Sequence, residues 1–151
     1  MDILQLKALD HAVAKTAAQF PDRLFLRDAL NPDNPICFSY QQANEEIHRL
    51  ALQIRQGHSL EDENIGVMLS TSYECVCLVY AGMRAGKNIV LIDPEWGEVA
   101  KLSIIQAAEI KRIASFEKLQ GKWATMQIPL KFGTSTPVSY THLTLPTKRI
   151  V

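Results

Sequence analysis

Over residues 4–20 the apolar positions Leu6, Leu9, Val13, Ala17 and Phe20 recur three or four apart. That spacing predicts one buried helical stripe, which Pro21 ends. Two short runs rich in strand formers follow, at 24–27 and 36–38. Between them lies Asn31-Pro32-Asp33-Asn34-Pro35, whose prolines and Asx residues favour a turn, so the pair predicts a small hairpin. Ser39 and Gln42 have the spacing of a capping box. Behind it Ala43, Ile47, Leu50, Ala51 and Ile54 form the inward face of a helix that Gly57 stops. The residues set against that face, Glu45, Glu46, Arg49 and Arg55, read as a solvated surface.

Beyond a polar link at Glu61-Asp62-Glu63 the pattern becomes strand, helix, strand, helix, strand, at 65–69, 72–85, 89–92, 95–108 and 112–115. Two consecutive βαβ units predict a parallel sheet with right-handed crossovers. The helix over 72–85 is apolar or small on nearly every side, a pattern that expects cover on both faces. Thr71 with Glu74 supplies its expected capping box and Gly86 its stop. Such a helix fits a sheet belonging to a larger body.

Composition bounds the chemistry. The chain has 151 residues, 47% apolar and 21% charged, which is ordinary for a globular fold and excludes disorder and collagen. Sixteen basic residues against sixteen acidic give no excess charge for nucleic acid or an anionic membrane. Cys37, Cys75 and Cys77 cannot all pair and read as reduced thiols of a cytoplasmic protein. The four histidines have no ligand spacing, so no metal is expected, and no apolar run approaches the roughly 18 residues that span a bilayer.

Motif chemistry is sparse. The first βα turn, Leu69-Ser70-Thr71-Ser72-Tyr73, lacks G-x-G-x-x-G, which argues against a dinucleotide site. Its hydroxyls are placed either to meet a phosphate at a helix N-terminus or simply to cap, and capping is the commoner role. Asp93 before Pro94 is more simply the start of the next helix than a catalytic carboxylate. Trp96 and Trp123 read as packing residues. No nucleophile elbow and no P-loop motif occurs.

Two stretches carry a resemblance. Phe38-Ser39-Tyr40-Gln41-Gln42-Ala43, continuing through Ile47-His48-Arg49-Leu50-Ala51, resembles the F-[TS]-Y-x-E-L helix of adenylate-forming enzymes, with Gln42 and Ala43 in place of Glu and Leu. The run from Met83 through Ala85-Gly86 to Ile92-Asp93-Pro94 resembles that family's L-K-A-G-x-x-x-V-P-[IL]-[DN]-P segment, with Leu91 in place of its proline. Pro21-Asp22-Arg23, the strand at 65–69 and Ala108-Glu109-Ile110-Lys111-Arg112-Ile113 are similar to further landmarks in the same order.

The resemblance covers about residues 14–115 and implies an α/β fold: an incomplete N-terminal subdomain with a small hairpin and a parallel βαβαβ sheet. It also implies a ligase reaction in which ATP and a carboxylic acid, with Mg²⁺, give an acyl-adenylate that passes to a thiol, often coenzyme A. The family residues that carry out these steps come later in its chain, so no catalytic role transfers here. At most, Gly133, Thr134 and Ser135 resemble the start of its Gly/Ser/Thr-rich phosphate loop; a plain polar loop is the equally simple reading. The expected result is a truncated, inactive portion over 1–136 that by itself takes up no cofactor. The alternative is a small stand-alone α/β protein that binds a partner or nucleotide without catalysis.

The last residues, 137–151, have another explanation. Residues 138–147 back-translate to GTC TCT TAT ACA CAT CTG ACG CTG CCG ACG, which looks like a transposase-based sequencing adapter, so the tail is expected to be non-native. The same residues alternate as a strand would. Without Lys148 and Arg149 the balance becomes 14 basic against 16 acidic, a net of −2. The truncated reading also expects exposed apolar surface on the helix over 72–85.

Overall fold

The computed structural model describes residues 9–56 and 63–133. Helix α1 spans Leu9–Gln19, strands β1 (Leu24–Asp28) and β2 (Ile36–Ser39) pair antiparallel, and helix α2 spans Tyr40–Arg55. Then come β3 (Asn64–Met68), α3 (Tyr73–Arg84), β4 (Asn88–Ile92), α4 (Glu98–Ala107), β5 (Arg112–Ala114) and a 3-10 helix over Gly121–Met126. The expected hairpin and parallel sheet are both present.

The three parallel strands lie in the order β4-β3-β5, with Ile65 level with Ile89 on one side and Arg112 on the other. The first crossover steps outward from β3, and the second returns across it. Right-handed connections in opposite directions place α3 and α4 on opposite faces. Alternation along β3 serves both: Ile65 and Val67 enter the core built on α2 and α3, while Met68 points with Ile92 and Ile113 toward Ile105 of α4. Gly66 also faces that side, where Ile92 Cδ1 and Ile110 leave no room for a Cβ.

Local chemistry explains the boundaries. Ser39 Oγ accepts from the Gln42 N–H at 3.1 Å and Gln42 Oε1 accepts from the Ser39 N–H at 2.8 Å, completing the expected box at α2. At α3 the cap is Ser72, one residue later than expected: its extended backbone lets Oγ accept from the Cys75 N–H at 3.1 Å, while Thr71 stays exposed. Gly86 ends α3 at φ +77°, with Gly86 N–H donating to Met83 O and Lys87 N–H to Gly82 O. Asp93 does not cap α4. Its Oδ1 accepts from the Glu95 N–H at 2.9 Å in an Asx turn, and the helix starts after Gly97.

Three expectations about burial are corrected. Helix α1 turns Asp10, Val13 and Ala17 inward, where Asp10 pairs with the partly buried Arg84, and leaves Leu9 exposed, as is Phe20 just beyond its end. Leu6 and Gly57 lie outside the described residues. Glu46 is fully buried, while Glu45 and Arg55 are exposed and Arg49 is half-buried. No residue of α3 is exposed, since α1, α2 and the sheet cover it. Exposed apolar surface appears instead at Leu91 on β4, at Trp96, and at Val99 on α4.

Candidate functional site

In open α/β sheets ligands gather beyond the carboxyl ends of the strands. Here that end holds a cavity of about 420 Å³ between the β3–α3 turn and the β4–α4 turn. Ser70, Thr71 and Cys75 line one wall, and Asp93, Glu95 and Trp96 the other. Trp96, 40% exposed, is therefore a wall residue rather than core, whereas Trp123 is packed as expected. The wall offers hydroxyls and carboxylates and no cation among these residues, a lining that opposes a triphosphate. Ser72 is already committed twice, accepting from the Cys75 N–H and donating to Ser70 O at 3.1 Å.

The thiols are poor nucleophiles. Burial pushes Cys77 up to about 12, and it also raises Cys75 and Cys37, where the charge of Arg27 opposes the rise. All three are free. Tyr73, stacked on Phe38 at 3.5 Å between centroids, has a buried hydroxyl that burial and then nearby Cys77, Glu46 and Glu74 push upward. Among the described residues no cluster of three or more His, Cys, Asp or Glu is placed to hold a metal, and no helix is long and apolar enough to cross a membrane.

Of the expected phosphate-loop residues, Gly133 is described and Thr134 and Ser135 lie outside the described residues. The Gly133 N–H donates to Glu46 Oε2 at 2.8 Å, and the other carboxylate oxygen of Glu46 accepts from Arg49 Nη2 at 3.0 Å. One helical stretch onward, Gln53 Nε2 donates to Lys131 O at 2.9 Å, and Gln53 Oε1 accepts from the Lys131 N–H at 2.7 Å. The intervening Phe132 ring meets Tyr73 and Phe116 edge-on. The chain reaches this place by turning back along β5, where the Ile128 N–H donates to Ile113 O at 2.8 Å. Sequence reasoning missed Glu46, although it stands three residues after Ala43 and four before Leu50, within the inward stripe.

This is a parallel α/β subdomain whose crevice lies at the strand ends and whose irregular segment over 131–133 is gripped by a helix. The chain belongs to the AMP-binding enzyme family, whose profile matches residues 13–142 and so overlaps the first six residues of the segment 137–151. It is 38% identical over 60 residues to tyrocidine synthase 3 of Brevibacillus parabrevis, covering 40% of this chain and 1% of the relative. It is 28% identical over 102 residues to the hybrid PKS-NRPS synthetase poxE of Penicillium oxalicum, covering 67% of this chain and 2% of that protein.

Among solved structures, the N-terminal subdomain of Klebsiella oxytoca NpsA in complex with anthranilyl-AMSN superposes with a TM-score of 0.66 at 16% identity. That match covers 80% of this chain and 30% of the other. VinN superposes with a TM-score of 0.63 at 18% identity, covering 71% and 27%. The chain thus spans a small part of each relative it matches. The resemblance read from the helix at Ser39 and the segment ending at Asp93-Pro94 is borne out at the level of family and fold.

Proposed function

We propose that this chain is part of an adenylation domain whose complete form uses ATP, with Mg²⁺, to convert a carboxylic acid to an acyl-adenylate and pyrophosphate, and then passes the acyl group to a thiol. The observation that carries this reading is the family match over residues 13–142, set on a fold that corresponds to about a third or less of the solved relatives. Both curated relatives are very long proteins of which this chain covers 1–2%, which favours a thiol on a carrier domain over free coenzyme A as the acceptor. Three free cysteines fit a reducing compartment, in keeping with a cytoplasmic protein.

By itself the chain is expected to be inactive. The adenylyl transfer requires donors and a cation arranged around the phosphates; the crevice lining offers the Ser70 and Thr71 hydroxyls but sets carboxylates beside them and holds no cationic side chain. The test is ATP–pyrophosphate exchange with a panel of carboxylic acids, run on this chain and on the polypeptide extended by the remainder of a family domain. Exchange by the extended protein alone is the expected result; exchange by the short chain overturns its inactivity, and silence from both overturns the ligase reading.

Residues 137–151 we read as translated adapter sequence. Sequencing the locus decides it: different synonymous codons across 138–147, or uninterrupted native flanking sequence, sinks the idea.

A further inference from the structure

We propose that Glu46 is a positioning residue, a buried latch that fixes the backbone at Gly133 to α2 and thereby withdraws the Gly133 N–H from any contact with phosphate. The second half rests on reading Gly133, Thr134 and Ser135 as the opening of the phosphate loop.

A carboxylate with no exposed surface is strongly unfavourable unless it is both paired and hydrogen-bonded. Glu46 has both, with Arg49 on one oxygen and the Gly133 N–H on the other. The grip is not a single bond. Glu46 and Gln53 stand seven residues apart, two turns along one helix face, and Lys131 and Gly133, two apart, both turn backbone groups toward that face. The side chain of Gln53 serves Lys131 as a neighbouring strand would, giving one donor and one acceptor. Phe132, pointing the other way, is held by Tyr73 and Phe116. Three successive residues are therefore held from α2, α3 and the loop after β5.

The latch also explains the residue at 133. A Cβ there would overlap Arg49 Nε and come within 2.9 Å of Cζ, displacing the guanidinium that neutralises Glu46. An anion approaching Gly133 would meet a carboxylate already bound to the only backbone donor at that position. Phosphate contacts in the complete domain therefore begin beyond Gly133.

The test is amide hydrogen exchange by NMR on this chain in its wild-type form and as Glu46→Ala, Glu46→Gln and Gln53→Ala. Glu46→Ala is expected to speed exchange at Gly133 about tenfold or more relative to Val67 and Ile113, the local signature of a lost anchor. Glu46→Gln keeps an acceptor oxygen and recovers part of the protection, and Gln53→Ala releases Lys131. If Glu46→Ala unfolds the core, Val67 and Ile113 lose protection too, and the other two variants decide. Gly133 exchange unchanged in the folded variants overturns the latch. Saturation with inorganic pyrophosphate should leave the wild-type Gly133 resonance in place; a shift there overturns its withdrawal from phosphate. On the polypeptide extended by the remainder of a family domain, pyrophosphate that moves neither Thr134 nor Ser135 removes the phosphate-loop reading and leaves the latch standing.

Discussion

Arg84 at the end of α3 donates to Asp10 near the start of α1, Nε to Oδ2 at 3.2 Å, across 74 residues of sequence. The same guanidinium reaches Asp10 O and Asn44 O, both at 3.4 Å, so one side chain ties α1, α2 and α3 together. Asp10 is 3% exposed. Removing Arg84 leaves a buried carboxylate unpaired, so Arg84→Ala is expected to destabilise the fold by about 3–5 kcal/mol. Replacing both partners, Asp10→Leu with Arg84→Met, is expected to recover most of that loss. Urea midpoints of the single and double variants measure it; a single variant within about 0.5 kcal/mol of wild type contradicts the role.

Glu63 receives two bonds from Arg112, at 2.8 and 2.7 Å, with Lys87 Nζ at 3.6 Å. The Arg112 hydrogen bond, with the charges of Arg112 and Lys87, holds its carboxyl below the ordinary 4.5 against the opposing effect of burial. A folded-state value below the unfolded one means the stabilisation is present above about pH 4.5 and is lost as pH falls through the folded value. Glu63→Gln is therefore expected to lower stability at neutral pH and flatten the acid limb. Urea midpoints between about pH 3 and 7 check this; an acid limb of unchanged slope in the variant counts against it.

The order of elements and the sheet's direction were legible because they rest on local periodicity. Ala43, Ile47, Leu50 and Ile54 mark one helix face whatever lies above it. Glu46 was misread, and Asp10 passed over, for the opposite reason. Each stands on a buried stripe by spacing, but a charge there makes sense only when fully partnered: Arg84 is 74 residues from Asp10, and the Gly133 N–H that joins Arg49 on the Glu46 carboxylate is 87 residues away. The cap of α3 slipped by one because Ser70, Thr71 and Ser72 offer equivalent hydroxyls, and backbone dihedrals choose among them. The crevice wall at Trp96 needs the two βα turns side by side, which pattern along one strand does not supply.

Gly82 lies where α3 crosses β4, and a Cβ there would overlap Ile89 Cδ1 and approach Cγ1 to 2.7 Å. Alanine adds helix propensity of about 1 kcal/mol, whereas overpacking a close contact costs about 1–3 kcal/mol. Because two atoms of Ile89 are in the way, the steric effect is expected to win, and Gly82→Ala should lower the thermal midpoint. Ile89→Ala in the same chain frees the space, so the double variant should fall short of the additive loss. Strict additivity would show that the two residues do not collide.

Helices α3 and α4 end in the same way with different residues. After α4 the Glu109 N–H donates to Gln106 O and the Ile110 N–H to Ile105 O, the pattern that Gly86 and Lys87 make after α3. Gly86 sits at φ +77°, and Glu109 holds the equivalent place at φ 52°. A side chain in that left-handed region costs about 1–2 kcal/mol, and glycine avoids most of it. Glu109 is exposed and makes no side-chain bond among the described residues, so little opposes its removal. Glu109→Gly is expected to stabilise the chain by about 1 kcal/mol or less, Glu109→Ala to leave it nearly unchanged, and Gly86→Ala to destabilise it by about 1 kcal/mol. Thermal midpoints of the three variants separate strain from charge: equal gains from Gly and Ala at 109 would mean the carboxylate, not the backbone, was the source.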